Sequence, residues 1–172
     1  ITLVGEENHA PYQRPPLSKA YLAGEADEES LELRNPDFYV DNKIVVITSE
    51  QVESVRWGGE HGIAVTNTGK ELPFDKLAIA TGAGPKPLTC EGGNLDGVLY
   101  MRGIDDANAL KERWGSIRNI VVIGGGFIGL EVAAVAQKYG KTVTVLHSRD
   151  RLMSRAVGPE VSEFFLEAHR KR

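Results

Sequence analysis

The sequence has almost no cysteine, since Cys90 is the single one among 172 residues. A lone cysteine forms no disulfide within the chain, and it supplies neither a redox-active pair of thiols nor a cysteine-rich metal site. With no base close to it in the sequence, we expect Cys90 to be inert. His9, His61 and His169 have no ligand-like spacing, so no metal site is expected. Because small secreted domains commonly depend on disulfides, the composition favours a cytoplasmic protein.

Long apolar runs and an excess of positive charge are also missing. The longest apolar run, 120–130, contains four glycines and ends at Glu131, short of the roughly 20 residues that cross a bilayer. We expect no secretory signal, since the chain shows no charged region followed by an apolar stretch and a small-residue cleavage site. Twenty Lys and Arg residues against 24 Asp and Glu give a net charge of −4, which argues against nucleic acid as the main ligand. We therefore expect neither membrane insertion nor nucleic-acid binding.

Both ends of the sequence lie in regular patterns. The chain begins without Met in an apolar run, and it ends directly after a helical pattern. We therefore expect a piece of a longer α/β protein. The apolar patterns predict strands at 1–4, 44–47, 51–57, 63–66, 77–80, 120–123 and 143–146, with a hairpin turn at 67–70. They predict helices at 18–22, 104–114, 128–139 and 161–169.

Glycine is abundant, with 19 residues in the chain. Gly124, Gly126 and Gly129 fill the pattern G-x-G-x-x-G between a buried strand and a helix, and a second parallel strand follows. In such a unit the first glycine permits a tight turn, the second lets the backbone approach a pyrophosphate, and the third lets the helix pack on the strand. The alternative is a glycine-rich turn in another α/β fold. The candidate dinucleotide contacts are Gly124, Gly125, Gly126, Phe127, Ile128 and Gly129, although Phe127 is equally explained by packing.

The end of the second strand decides between NADH and NADPH. A carboxylate there would bind a ribose hydroxyl, but the position holds His147, 23 residues after Gly124. Two arginines, Arg149 and Arg151, follow closely and suit a 2′-phosphate. The alternatives are that Asp150 serves NADH, or that these residues are solvated loop residues. We include His147, Arg149 and Arg155 in the nucleotide-binding set.

A nine-residue element at 11–19, Pro-Tyr-Gln-Arg-Pro-Pro-Leu-Ser-Lys, carries a resemblance to a known family. With the acidic pair after the first strand, the later Ala-Thr-Gly turn and the glycine motif, it resembles the FAD-dependent NAD(P)H:ferredoxin reductases. That family includes the putidaredoxin and rubredoxin reductases and the reductase components of aromatic-ring dioxygenases. The resemblance covers essentially the whole chain. It implies Rossmann-like domains, a partial FAD-binding part at 1–104 with a small β-meander, and a partial NAD(P)-binding part at 105–172.

The resemblance also implies an activity and a set of residues. The activity is electron transfer from NAD(P)H through FAD to a ferredoxin or rubredoxin. Glu6 and Glu7 would take the FAD ribose, Val52 would offer backbone to the adenine, and Arg14 and Lys19 would lie at the flavin. The remaining implied FAD contacts are Ala80, Thr81, Gly82 and Arg102.

The resemblance further pairs Lys19 with Glu131, 112 positions later, as the candidate catalytic pair. An ammonium beside the flavin stabilises the electron-rich reduced ring, and a carboxylate holds the ammonium in place. Without the resemblance both residues would be taken as solvated surface charges.

Two departures limit what the resemblance implies. Residues 14–22 contain no cysteine, so electrons leave the flavin directly rather than through a disulfide. The first FAD-binding glycine turn and the C-terminal interface domain are not in this sequence, so we expect this chain alone to bind FAD weakly or not at all. The alternatives are an NAD(P)H oxidase, a nitrite-reductase-type subunit, or a non-catalytic redox-signalling module resembling apoptosis-inducing factor.

Overall fold

The computed structural model describes residues 1–171, and these residues form two compact units. The first unit consists of Ile1–Gln13 and Leu31–Ala83, and the second of Arg14–Ser30 and the chain from Gly84 onward. The units are defined by contacts within the chain. The expected division near residue 104, which is by ligand, stays a prediction.

Two sheets form the first unit. Strand β1 (Thr2–Val4) pairs in parallel with β2 (Val45–Ile47). Three antiparallel strands form the other sheet in the order β3 (Val52–Gly58), β4 (His61–Thr66) and β5 (Glu71–Phe74). Gly69 has a φ of 82° in the turn between β4 and β5, a conformation that glycine adopts without steric cost. The predicted hairpin is confirmed.

A short helix in the first unit, α1 (Pro36–Asp41), is absent from the sequence expectations. The Asn35 side chain accepts a hydrogen bond of 3.0 Å from the Phe38 N–H, and Pro36 occupies the first turn. Asparagine at the cap followed by proline is a helix-start signal. The same residues also suit a turn, so the sequence signal by itself is ambiguous.

Two predicted elements are wrong. Residues 77–80 form no strand, and Ile79 is 78% exposed. An apolar run becomes a strand only where a neighbouring strand accepts and donates its backbone hydrogen bonds, and within residues 1–171 none pairs with it. In place of a helix at 18–22, a 3₁₀ helix covers Pro15–Ser18. There the N–H of Leu17 donates to the Arg14 carbonyl, the three-residue spacing of a tighter turn.

The second unit is built around a strand–helix–strand unit. Strand β6 (Asn119–Ile123) pairs in parallel and in continuous register with β7 (Thr142–Leu146), and α3 (Phe127–Lys138) connects them. Helix α2 (Ile104–Arg113) precedes the unit and α4 (Pro159–Arg170) follows it. These elements confirm the predicted α/β class with parallel strands.

The core beside this unit contains Leu130 of α3 together with Leu152 and Met153 from the connection to α4. Val145 of β7 and Phe165 of α4 pack against them. Because the core includes residues from that connection, the segment after β7 folds back towards α3. No helix within residues 1–171 has both the length and the apolar character needed to cross a bilayer.

Candidate functional site

The glycine turn joins β6 to α3 and leaves no room for a side chain at Gly129. Gly124 has a φ of 128° and donates its N–H to the Leu146 carbonyl at 2.7 Å. A Cβ on Gly129 would lie 2.0 Å from the Gly124 carbonyl oxygen. Since that contact is with backbone, no side-chain movement relieves it, and Gly129 is what allows α3 to pack directly on the turn.

Gly126 differs from its neighbours. It caps the N-terminus of α3 with an extended φ of −92°, and a Cβ there would meet no protein atom within 4 Å. The fold therefore tolerates a side chain at this position. A glycine instead leaves open space before the unpaired N–H groups of the first helical turn, an arrangement that suits a phosphate.

The segment after β7 lies against this turn. A Cβ on Gly125 would come within 2.7 Å of the Leu152 side chain and 3.1 Å of the His147 ring. The Met153 N–H also donates to the Gly125 carbonyl at 2.8 Å. The structure thus brings His147 to the glycine turn, where the sequence analysis expects the nucleotide.

The arginines near the end of β7 have different surroundings. Arg151 donates to the Val157 carbonyl at 2.6 Å, to Ser162 Oγ at 2.8 Å and to the Ser154 carbonyl at 3.2 Å. Its guanidinium therefore stabilises the connection to α4, which is a correction to its interpretation as a cation for a 2′-phosphate. Arg149 and Arg155 are exposed, and their predicted nucleotide contacts stay predictions.

A second group of predicted residues meets where α3 contacts the 3₁₀ helix. Lys19 Nζ lies 2.9 Å from Glu131 Oε1. The hydroxyl of Ser18 donates to Glu131 Oε2 at 2.5 Å. Lys19 also donates to the Pro15 carbonyl at 3.2 Å. The two residues paired by the resemblance thus form an ion pair, and their role at a flavin stays a prediction.

The ion pair lies at the wall of a cavity of about 220 Å³. Leu17, Met101 and Ile128 contribute apolar surface to the cavity. Arg14, Lys19 and Arg102 contribute its positive charges. The cavity is lined by Arg14, Pro15, Leu17, Ser18, Lys19, Met101, Arg102, Ile128 and Glu131. Arg14 donates to the Arg102 carbonyl at 3.1 Å, which joins two of the predicted flavin-side residues.

Sequence reasoning missed Ser18 and Met101 as residues of this site. Ser18 belongs to the nine-residue element that carries the resemblance, so its position in that element was the available signal. Met101 directly precedes Arg102 but has no chemistry of its own that would have marked it.

Tyr21 holds the segment Arg14–Ser30 to α2. Its ring is buried, and its hydroxyl shares hydrogen bonds with Asn108 Oδ1 at 2.7 Å and Glu28 Oε1 at 3.0 Å. Burial, and then the adjacent Glu28 carboxylate, raise the pKa of Tyr21 to about 12. The Lys111 ammonium lies 3.8 Å from the centre of the ring, a cation–π contact. These contacts stabilise the segment that carries Ser18 and Lys19.

The other predicted FAD contacts belong to the first unit. Glu6 and Glu7 follow β1, and Glu7 accepts a hydrogen bond from the Tyr12 hydroxyl. Val52 begins β3 and is exposed. The remaining predicted contacts, which share an exposed and irregular segment, are Ala80, Thr81 and Gly82. Their contacts with FAD stay predictions.

Comparison with known proteins supports the expected relationship. The chain is 42% identical over 159 residues to a rubredoxin–NAD(+) reductase from Pseudomonas putida, covering 92% of this chain and 41% of that protein. It is similar in structure to a ferredoxin reductase from Rhodopseudomonas palustris, with a TM-score of 0.92, 38% identity, and 99% and 42% of the two chains covered. A covalent putidaredoxin reductase–putidaredoxin complex gives a TM-score of 0.89 at 39% identity, covering 99% of this chain and 41% of that one.

These matches confirm the resemblance to the ferredoxin reductases, and this chain spans about two fifths of the length of the relatives that it matches. The sequence pattern that describes the pyridine nucleotide-disulphide oxidoreductases matches residues 1–172. The glycine turn, Lys19 and Glu131 all lie within the matched residues. The chain belongs to the pyridine nucleotide-disulphide oxidoreductase family.

Proposed function

We propose that this protein is a flavoprotein oxidoreductase that passes electrons from NAD(P)H through FAD to an iron–sulfur protein of the ferredoxin or rubredoxin type. The observation that carries the proposal is the ion pair of Lys19 and Glu131 at the cavity wall. Helix α3 carries both this carboxylate and, at its N-terminus, the proposed dinucleotide site. The names of the relatives, a rubredoxin–NAD(+) reductase and a reductase bound to putidaredoxin, support the acceptor class.

The residues around the cavity fit a flavin ring. Apolar side chains from Leu17, Met101 and Ile128 suit the faces of a flat aromatic system, and the cations suit its polar edge. In the proposal Arg14, Lys19 and Arg102 would hold that edge. When bound, FAD would supply the conversion of a hydride from NAD(P)H into two single electrons for two iron–sulfur acceptors, with NAD(P)⁺ left behind and the proton released to water.

The chain's own part in this chemistry is positioning and charge. The Lys19 ammonium would place positive charge beside the flavin ring as the ring gains electrons. Glu131 restricts the movement of the ammonium. The first turn of α3 would bind the dinucleotide phosphates with its N–H groups. An enzyme that uses NAD(P)H works where that nucleotide is maintained, so the proposal includes the expected cytoplasmic location.

The test is an acceptor assay on the full-length, FAD-loaded protein. We expect NAD(P)H-dependent reduction of cytochrome c to require added ferredoxin or rubredoxin and to exceed oxygen consumption by at least about tenfold. In the Lys19→Ala variant we expect flavin reduction to slow by roughly tenfold or more, because a charged interaction at the reacting ring is lost.

Lys138→Ala is the matched control, since Lys138 also lies on α3 and pairs with Glu25 at 2.6 Å, away from the cavity lining. It should leave flavin reduction unchanged. Oxygen consumption as fast as ferredoxin reduction would indicate an oxidase instead. Slow turnover with every acceptor would indicate a nucleotide-binding module.

A further inference from the structure

Ser18 places a buried hydroxyl directly on the catalytic carboxylate of the proposed site. The residue is 4% exposed, and its Oγ donates to Glu131 Oε2 at 2.5 Å. Lys19 contacts the other carboxylate oxygen, Oε1, at 2.9 Å. We infer that Ser18 is the positioning residue that orients Glu131, and through it the Lys19 ammonium, for hydride transfer; this inference rests on the proposed function.

The two partners of Glu131 differ in how firmly they hold it. The Lys19 side chain is 50% exposed and the Glu131 side chain 27%. Ion pairs between long, solvent-accessible side chains contribute little, because both chains lose rotational freedom and water screens the attraction. Lys19 alone is therefore a weak constraint on the carboxylate.

Ser18 has the opposite properties. Its side chain has a single carbon, it is buried, and it lies in the 3₁₀ helix beside the buried Leu17. Little rotational freedom remains to be lost when its hydroxyl binds. A hydrogen bond to an ionised carboxylate is also among the stronger hydrogen bonds in proteins. Ser18 therefore determines the direction of the Glu131 carboxylate.

The orientation of the carboxylate matters because it sets where the ammonium lies. Glu131 Oε1 and the Pro15 carbonyl use two of the three donors of Lys19. Because these two hydrogen bonds fix the ammonium, the third N–H of Lys19 points in a defined direction and is available to a ligand in the cavity. Without Ser18 the carboxylate rotates, and the ammonium samples a wider range of positions.

The first test measures hydride transfer by stopped-flow flavin absorbance in the full-length, FAD-loaded protein. We expect Ser18→Ala to slow flavin reduction by NAD(P)H about tenfold, with little change in the nucleotide concentration that half-saturates the rate. In a Glu131→Leu background we expect Ser18→Ala to cause no further slowing. Ser116→Ala, which removes an exposed hydroxyl bonded to the Arg113 carbonyl, is the matched control and should behave as wild type.

The second test needs no turnover. In urea unfolding, Ser18→Ala should lower stability in the wild-type background and not in the Glu131→Leu background, because the hydrogen bond requires both partners. A rate equal to wild type, or the same slowing in both backgrounds, would overturn the inference, since loss of packing alone acts in either. If the wild-type protein transfers no hydride to flavin, the proposed function itself fails and the positioning role fails with it.

Discussion

At the scale of single residues, buried hydroxyl groups hold the side chains of the proposed site in place. Ser18 and Tyr21 are both nearly inaccessible, and both hydroxyls have partners from distant parts of the chain. Burying a hydroxyl without a partner destabilises a protein, so such groups restrict the conformations that the segment between them adopts. Ser18 and Tyr21 thus help to position the site without carrying a charge themselves.

Tyr21 gives this arrangement a pH dependence. Its pKa is raised from 10.0 to about 12 in the folded chain, whereas the unfolded chain releases the phenolic proton near pH 10. The contribution of the neutral Tyr21 phenol to the free energy of unfolding is therefore fully present below pH 10 and is lost as the pH rises from about 10 to 12. We expect the free energy of unfolding to fall by up to roughly 3 kcal/mol over that range.

The measurement is urea unfolding at several pH values from 9 to 11.5, with Tyr21→Phe as the control. Groups other than Tyr21 titrate in both proteins, so the difference between the two curves isolates the phenol. Parallel curves across this range would contradict the expected contribution of Tyr21.

At the scale of elements, two glycines of the strand–turn–helix unit, Gly126 and Gly129, are present for different reasons. Gly129 is required by the protein's own backbone, because a Cβ would collide with the Gly124 carbonyl oxygen. Gly126 has no such requirement, since its φ suits any residue and the space before it is open. Together with the position of Gly126 at the N-terminus of α3, this open space supports the proposed dinucleotide site.

Alanine substitutions at these two positions should therefore have different effects. We expect Gly129→Ala to destabilise the protein by several kcal/mol, since neither backbone segment moves easily. Gly126→Ala should keep the wild-type unfolding midpoint but weaken NAD(P)H binding by about tenfold or more, because the methyl group occupies the phosphate approach. Thermal unfolding and calorimetric titration with the nucleotide measure the two effects. Equal destabilisation by both substitutions, or unchanged nucleotide binding in Gly126→Ala, would contradict this assignment.

At the scale of the whole molecule, nucleotide choice depends on how the chain continues after β7. Arg151 is bound within the connection to α4, which leaves exposed Arg149 as the cation nearest to His147 in sequence. A 2′-phosphate would find its positive partner there.

We expect Arg149→Glu to lower the ratio of kcat/KM for NADPH to that for NADH by about tenfold or more, because attraction to the 2′-phosphate becomes repulsion. Arg118→Glu is the matched control. Arg118 is also exposed but directly precedes β6, at the opposite end of that strand from the glycine turn. Steady-state kinetics with both nucleotides on the full-length protein measure the ratio. An unchanged ratio in Arg149→Glu would exclude this arginine as a phosphate ligand.

The parallel unit around Gly124 was predictable from the sequence because its signals are local. A β-branched run, a glycine turn and a helical period each specify their own segment, and they agree with one another. The pairing of Lys19 with Glu131 was predictable only through family resemblance, because no local pattern relates positions 112 apart.

Only the tertiary structure decides the features that depend on neighbouring segments of the chain. Residues 77–80 have the pattern of a strand but no described strand beside them, and Arg151 resembles a ligand in sequence but binds its own loop. The hydroxyl of Ser18 gained its importance from a carboxylate that only folding brings within 2.5 Å. The sequence by itself determines the side-chain chemistry and the hydrophobic periodicity of each segment. Hydrogen-bond partners from distant segments are determined only when those segments pack together.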